Sequence, residues 1–299
     1  MISFLTSGFF ASMLSFLAIY VALTVILHLQ ANVAGVVNFG IAGFWGIGMY
    51  ATSIFLLRFN INFWISIVLG AIVTGLIALP LARILLNLDG QAVLVGTLAF
   101  ASIVENQIFV NREITGGSRG LGTIPMPIDV GPYRFIVYGL VVVAFVVALI
   151  LYAWKLKKAP FGRLLFSIRD NELLSRSLGK PTFRHKIIFF AITCGLIGLF
   201  GGLTAPLHSF LLPMMVSPTV TFTAWIALML GGQSKISGAV IGVLATEFVF
   251  FYLLRVILPL PAEAAQMVPF FIYAAYGLML VLVLMFKPTG IMGGKRRGN

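Results

Sequence analysis

Four polar side chains stand inside stretches that are otherwise apolar. Asn38 lies in a glycine-rich stretch, Glu105 and Asn106 are neighbours further along, and Glu247 comes late in the chain. The amide of Asn38 can donate and accept hydrogen bonds along a polar path, or it can tie two helices together. The two carboxylates can be structural groups, either neutral or ion-paired, or they can take up a proton or a sodium ion.

The common catalytic and metal-binding patterns are missing from the sequence. The P-loop pattern G-x-x-x-x-G-K-[ST] fails at both Gly-Lys pairs, because Pro181 follows Lys180 and Arg296 follows Lys295. There is no H-E-x-x-H, and three scattered histidines with one cysteine give no zinc-binding spacing. We therefore expect no catalytic residue, no metal site and no ATP site in this chain, and no enzymatic activity.

The composition excludes a soluble globular domain. Of the 299 residues 60% are apolar and 9% are charged, and the mean hydropathy is +1.08, whereas soluble domains have about 25% charged residues. A membrane span needs roughly 20 mostly apolar residues. Candidate spans are residues 9–29, 35–57, 62–86, 92–111, 134–156, 187–207, 219–231, 236–258 and 266–286. We predict an all-α polytopic membrane protein with about 8–10 transmembrane helices in a single domain, residues 1–299.

Most of the net charge of +12 lies in one loop. Residues 155–186 contain nine Lys or Arg and two acidic residues, a balance of +7. Because Lys and Arg gather on the cytoplasmic side of membrane proteins, this excess indicates topology and lipid contact rather than nucleic-acid binding. We assign residues 158–186 to the cytoplasm, and alternation of the spans then places residues 111–133 outside. A simple count leaves Met1 outside.

Glycine is dense in the second candidate span, which suggests a broken or re-entrant helix. The glycines are Gly35, Gly40, Gly43, Gly46 and Gly48. A re-entrant helix would place Met1 inside instead. Residues 231–242 are a second glycine-interrupted stretch, and transporters often build their path from paired discontinuous helices. Close helix packing is the alternative explanation for individual glycines, but together they predict glycine-broken helices around a central path.

Residues 159–179 are the part of the cytoplasmic loop best suited to contact a partner. Pro160 and Gly179 give the start and stop signals of a helix, and apolar and charged residues alternate between them. The sequence therefore predicts one short amphipathic helix. Such a helix can lie on the membrane surface or insert into a groove of a partner protein.

Four stretches, in the same order, resemble the permease subunits of branched-chain amino acid ABC importers, specifically the LivM-type subunit. They are GVVNFGIAGFWGIGMY at residues 35–50, TGGSRGLGTIP at 115–125, FGRLLFSIRDNE at 161–172 and GLMLVLVLMFKPTGIMG at 277–293. The resemblance extends over nearly the full chain. The chain departs from the family at residues 231–235, where GGQSK stands in place of a G-G-x-G-T type turn.

The resemblance implies roles for three segments. Residues 158–186 would be a cytoplasmic coupling loop. Its coupling helix, which inserts into a cytoplasmic ATPase, would contain Phe161, Gly162, Arg163, Ile168, Arg169, Asp170, Asn171, Glu172, Leu178 and Gly179. The translocation path would be lined by Asn38, Phe39, Gly40, Gly43, Phe44 and Glu105. The docking site for an extracytoplasmic substrate-binding protein would contain Gly116, Gly117, Ser118 and Arg119.

The resemblance also implies an assembly in the bacterial plasma membrane. This chain would work with a second, LivH-type permease, two ATP-binding cassette subunits and a binding protein, and ATP and magnesium would bind to the ATPase partners. The implied activity is inward movement of branched-chain or related amino acids. Urea or short amides are alternative substrates, and an ion-coupled secondary transporter that uses Glu105 or Glu247 is the alternative from another class. We expect lipid but no nucleic acid as a partner.

Overall fold

The computed structural model describes residues 8–247, the single positions 278, 281 and 285, and residues 290–292. The α-helices in these ranges are α1 (Gly8–Asn32), α2 (Ile41–Arg58), α3 (Phe63–Leu85), α4 (Gly90–Val110), α5 (Arg112–Thr115), α6 (Arg134–Lys158), α7 (Pro160–Asp170), α8 (Glu172–Ser177), α9 (Thr182–His208), α10 (Thr219–Gly231) and α11 (Ile236–Val243). Short 3-10 helices cover Gly117–Arg119, Gly131–Tyr133 and Pro213–Val216.

Seven segments of the described residues are long and apolar enough to cross a membrane. They are Ala11–Asn32, Ile41–Arg58, Phe63–Leu85, Gly90–Val110, Gly131–Lys158, Thr182–His208 and Pro213–Gly231. The prediction of an all-α polytopic membrane protein is confirmed. The predicted span 236–258 begins as expected at Ile236 but continues beyond the described residues, and the predicted span 266–286 lies almost wholly outside them.

The distances between Cα atoms divide the chain into two compact units, Met1–Phe222 and Thr223–Asn299. In the first unit, α9 packs most extensively against α3 and α2, and α1 packs against α6. Apolar side chains that point away from these contacts, such as Ile72, Val95 and Leu140, remain exposed, as expected for surfaces covered by lipid. A single domain over residues 1–299 stays a prediction.

The second predicted span, 35–57, begins later than expected, because residues 33–40 are not helical and α2 starts at Ile41. We call residues 33–40 the connection. Gly35 has a φ of +70°, which residues with a Cβ atom rarely adopt, so the chain turns there. The predicted break therefore exists, but it lies in the connection, and α2 itself is continuous.

The remaining glycines of this stretch bring helices close together. A Cβ atom on Gly43 would lie 2.9 Å from the Cα atom of Ala101 in α4, and one on Gly48 would overlap the backbone of Gly198 in α9. Packing and hydrogen bonding drive helix association inside lipid, and small residues allow the backbones to approach. Close packing, the alternative explanation, accounts for Gly43 and Gly48.

Contacts at the two ends of the helices agree with the predicted sides. The Arg58 guanidinium, at the end of α2, donates to the backbone carbonyl of Glu113, which puts residues 58–62 and 111–133 at the same end. At the other end, Lys157 of α6 contacts His28 of α1, with 2.7 Å between Nζ and Nε2. Helix α1 therefore ends beside the basic loop and begins at the opposite end of the helices. The side of the membrane that each end faces stays a prediction.

In the second unit, glycines hold α10 and α11 together. A Cβ atom on Gly238 would lie 2.9 Å from the carbonyl oxygen of Gly231, and one on Gly242 would lie 3.0 Å from the Gly231 nitrogen. Gly232 has a φ of +103° in the short turn where the sequence departs from the family pattern. The Gly238 N–H donates to the carbonyl of Lys235 at 3.0 Å and closes this turn.

Candidate functional site

Five polar side chains meet where the connection enters the membrane-spanning helices. We call Gln30, Asn38, Thr97, Thr193 and Thr221 the interior cluster, and all five are fully buried. Gln30 Nε2 donates to the hydroxyl of Thr193 at 2.9 Å, and Asn38 Nδ2 donates to Gln30 Oε1 at 3.0 Å. The cluster therefore joins α1, the connection and α9.

The interior cluster also supplies hydrogen bonds to the backbone ahead of α2. The Gly40 N–H donates to Asn38 Oδ1 at 2.8 Å, and the N–H groups of Phe39 and Ala42 donate to the hydroxyls of Thr97 and Thr221 at 2.9 and 3.0 Å. The first N–H groups of a helix have no partner within it, and an unpaired one is costly in hydrocarbon. These side chains therefore supply partners for the buried N–H groups ahead of and at the start of α2.

Five of the six predicted path residues meet at the cluster and α4. They are Asn38, Phe39, Gly40, Gly43 and Phe44. The ring centres of Phe44 and Phe100 are 4.8 Å apart, and Gly43 packs against Ala101. Glu105 lies about one turn beyond Ala101 on α4; it is half-buried and has no hydrogen bond or ion pair within the described ranges. Their roles in transport stay predictions.

Gln30 and the three threonines of the cluster escape prediction from sequence for a physical reason. A threonine hydroxyl inside a helix commonly bonds the carbonyl four residues earlier. Thr97 bonds Val93 in this way, and Thr193 bonds Phe189, each at 2.8 Å, so the residue type alone indicates little. Gln30 carries the usable signal, because an amide within an apolar span is costly unless it has a partner.

The predicted docking residues lie in the loop of residues 111–133, which backbone hydrogen bonds hold in place. Leu121 and Leu211 exchange two such bonds, at 2.9 and 2.8 Å, and the Ile124 N–H donates to the carbonyl of Ser209 at 3.0 Å. A cavity of about 630 Å³ opens in this loop, lined by Arg112, Gly116, Ser118, Arg119 and Gly120. Its two guanidinium groups suit a carboxylate, and docking there stays a prediction.

The predicted coupling helix is two helices, α7 and α8, so the prediction of one helix from Pro160 to Gly179 is wrong. Asn171 causes the break, because its backbone is extended and its side chain accepts a hydrogen bond from the Leu174 N–H at 2.9 Å, as an N-cap residue does. Pro160 does begin α7. Gly179, with a φ of +76°, follows the end of α8.

The coupling loop has a buried face and an exposed face. Gly162 and Ile168 are buried within the chain, so they position α7. The side chains of Leu173, Leu174 and Leu178 are 75%, 58% and 68% exposed. We call these three residues the leucine patch, and they form an apolar surface on the most basic loop of the chain.

Glu172 fastens α8 to the start of α9. The Thr182 hydroxyl donates to Glu172 Oε1 at 3.2 Å, the Lys186 ammonium bonds Oε2, and Arg176 lies 3.5 Å from Oε1. Burial raises the pKa of Glu172, but the hydrogen bonds and the positive charges together outweigh burial and hold the pKa below its ordinary value of 4.5. The folded chain therefore favours the ionised carboxylate.

Glu172→Gln is expected to lower the thermal midpoint of the purified protein by roughly 1–2 °C at neutral pH, because a partly exposed ion pair contributes about 0.5 kcal/mol. Since the folded pKa is lowered, this stabilisation is present above the ordinary value and is lost as the pH falls through the folded value. The difference from wild type should therefore shrink in acid. Asp89→Asn, which removes an exposed carboxylate with no cap bond, is the control. A Glu172→Gln difference that persists unchanged in acid contradicts the assignment.

A sequence profile of the family described as "Branched-chain amino acid transport system / permease component" matches residues 9–286. The chain belongs to this family. The resemblance carried by the four stretches is thereby confirmed, and the permease is a multi-pass protein of the bacterial inner membrane. Its family is one of transporters rather than enzymes.

Several curated proteins are similar to the permease over most of its length. The "High-affinity branched-chain amino acid transport system permease protein LivM" of Salmonella typhimurium is 25% identical, and the alignment covers 92% of this chain and 68% of that protein. The protein of the same name in Escherichia coli is 24% identical with the same coverage. A "Probable branched-chain amino acid transport permease protein LivM" of Methanocaldococcus jannaschii is 27% identical, and the alignment covers 76% of this chain and 66% of that one. No solved structure gives a significant match to the permease.

Proposed function

We propose that the permease moves branched-chain amino acids inward as one of two membrane subunits of an ATP-driven importer. The names of its relatives support this substrate class. The proposed partners are a LivH-type permease, two ATP-binding cassette subunits on the cytoplasmic side and a binding protein outside. ATP and magnesium bind to the ATPase subunits, whose cycle drives transport.

The leucine patch is the observation that carries the proposal. Exposed apolar side chains grouped on a charged loop indicate an interaction surface, and this loop lies on the cytoplasmic side by its excess of Lys and Arg. We propose that the leucine patch inserts into a groove of an ATPase subunit. Helices α7 and α8 are fixed to the rest of the chain by Gly162, Ile168 and Glu172. A rigid projection of this kind can transmit movement.

We infer that the interior cluster lies at a point where the translocation path is closed in this conformation. Its amides and hydroxyls can donate to the carboxylate and accept from the ammonium group of an amino acid, without a fixed charge that would hold the substrate tightly. All five side chains are fully buried in this conformation. An amino acid therefore reaches them only in another conformation, which the ATPase cycle has to produce.

Leu173→Asp is expected to reduce recovery of the ATPase subunits with the permease by about tenfold, because it places a carboxylate in an apolar contact worth more than 1 kcal/mol. The measurement is purification of the tagged permease from its native membrane, with mass spectrometry of the proteins that come with it. Wild type should recover a second permease and the ATPases.

Ser177→Asp is the matched control, since it adds the same charge at an exposed polar position of α8. Its recovery of the ATPases should equal that of wild type. Equal recovery with Leu173→Asp would show that the leucine patch faces something else, such as the membrane surface. Repeated recovery of the wild-type permease alone would contradict the proposed assembly.

A further inference from the structure

Arg169, near the end of α7, contacts the end of the first helix. Its Nη1 donates to the backbone carbonyl of Asn32, the last residue of α1. Its Nε and Nη2 both donate to Asp170 Oδ1, at 2.9 and 2.6 Å, and its guanidinium carbon lies 5.2 Å from the centre of the Phe166 ring. Because the guanidinium is planar and rigid, these neighbours aim its remaining edge at α1.

The carbonyl of Asn32, which accepts the hydrogen bond from Arg169, lies at a helix end where a donor is needed. The last four carbonyls of a helix lack an intrahelical donor, and a cation there also complements the negative end of the helix dipole. The carbonyl of Asn32 satisfies both conditions. Arg169 therefore links α7, in the coupling loop, to the residue after which the connection begins.

The stem of Arg169 also packs on the turn of the connection. A Cβ atom on Gly35 would lie 2.8 Å from Arg169 Cγ and 3.3 Å from Arg169 Cβ. Gly35 is the residue with positive φ at which the chain turns. A residue with a side chain at this position would displace Arg169, so the two positions are matched to each other.

The far end of the connection is bound to the interior cluster. Asn38 follows Gly35 by three residues, which span at most about 10 Å of extended chain, and it bonds Gln30 and the Gly40 N–H. Both ends of this short segment are therefore held. Because the segment is short, a displacement of Arg169 at one end is expected to move Asn38 at the other.

The end of α1 has a second anchor that does not depend on Arg169. Lys157 of α6 lies 2.7 Å from His28 Nε2, and the Asn32 side chain lies 3.5 Å from His28 Nδ1. Removing the Arg169 contact therefore leaves α1 attached to α6. The connection also stays bonded to α1, because the Val36 N–H donates to the carbonyl of Gln30 at 2.9 Å. What is lost is the contact between α7 and the start of the connection.

Building on the proposed function, we propose that Arg169 is a positioning residue that transmits movement of α7 through the connection to Asn38. In this role it acts within the permease and is not a contact for the ATPase. This proposal differs from the expectation that Arg169 couples by touching the ATPase, which stays a prediction. The proposed path lies inside the chain, from α7 through Asn32 and Gly35 to the interior cluster.

The test compares Arg169→Gln with Arg184→Gln, which removes an exposed charge from the same basic loop. In the purified importer, Arg169→Gln is expected to lower uptake per assembled complex about tenfold, with ATPase recovery and ATP hydrolysis within about twofold of wild type. Arg169→Lys, which keeps one donor for the Asn32 carbonyl, should restore part of the uptake. Arg184→Gln should behave as wild type.

A thiol reporter separates positioning from a general loss of structure. Val37→Cys places a cysteine on the connection, in a background where the single native cysteine, Cys194, is replaced by alanine. In the wild-type importer, ATP should change the rate at which a thiol reagent modifies this cysteine. With Arg169→Gln, ATP should leave that rate unchanged. Gly35→Ala, which displaces Arg169 without removing it, should uncouple uptake from hydrolysis in the same way.

Three results would overturn the inference while leaving the proposed function intact. They are loss of ATPase recovery with Arg169→Gln, uptake by that variant within about twofold of wild type, and wild-type coupling with Gly35→Ala. Wild-type uptake that ignores ATP would instead overturn the proposed function and this inference with it.

Discussion

Replacing Gly48 with valine is expected to prevent the permease from accumulating as a folded membrane protein. A Cβ atom at this position would overlap the backbone of Gly198, and a Cβ atom on Gly201 would lie 3.0 Å from the nitrogen of Met49. Helices α2 and α9 therefore touch backbone to backbone. Overpacking costs about 3 kcal/mol when no flexible side chain can move away, and this contact holds the helix that follows the connection.

Gly90→Val is the control for this prediction, because a Cβ atom on Gly90 would meet no atom within 4 Å. The measurement is the membrane yield of each variant and its thermal midpoint in detergent. We expect wild-type values for Gly90→Val and little folded protein for Gly48→Val. A Gly48→Val protein with the yield and midpoint of wild type would show that α2 and α9 do not cross at this glycine.

Replacing Asn38 with leucine is expected to reduce uptake by roughly a hundredfold. The substitution roughly preserves size but removes the donor to Gln30 Oε1 and the acceptor of the Gly40 N–H. Both groups would be left buried without these partners, and the side-chain link from the end of the connection to α1 would be lost. The measurement is amino acid uptake normalised to the amount of permease in the membrane.

Asn106→Leu is the matched control, since this amide lies exposed on α4 and a leucine there can face lipid or a partner subunit. It should retain uptake close to wild type. Full uptake by Asn38→Leu would show that the interior cluster is not part of the translocation path. Equal losses in the two variants would indicate a general sensitivity of the spans to the loss of amides.

The sequence predicts the spans well because their signal is local. A run of about 20 apolar residues is visible without knowledge of the neighbours, and seven of the predicted spans lie close to helices of the described residues. The basic loop is local in the same sense, since charge counts alone assign its side. The predicted start of α7 at Pro160 is confirmed. This signal is also local, because proline favours the first turn of the helix that contains it.

What the sequence does not predict has a local part and a distant part. Asn171 splits the predicted coupling helix locally, because its side chain caps α8 at Leu174, a choice the amphipathic pattern does not reveal. The contact of Arg169, by contrast, depends on the end of α1, which lies 137 residues away in the chain. The cluster around Gln30 likewise joins α1 to α9 across 163 residues. Such pairings follow from packing in three dimensions, and single residues carry little trace of them.

Glycine illustrates both outcomes within one stretch. Gly35 and Gly48 are equally conspicuous in the sequence, yet one permits a left-handed turn and the other permits helix contact. Composition predicts that something unusual happens in this stretch. The assignment of each glycine requires its backbone angles and its neighbours.

The most direct test of the account is uptake of a branched-chain amino acid into proteoliposomes that contain the permease, purified with its partners. We predict leucine uptake that requires ATP and the ATPase subunits and is unaffected by ionophores that collapse ion gradients. Uptake by the permease without ATPases, abolished by such an ionophore, would contradict the account. That result would identify an ion-coupled secondary transporter and make Glu105 and Glu247 the first residues to test.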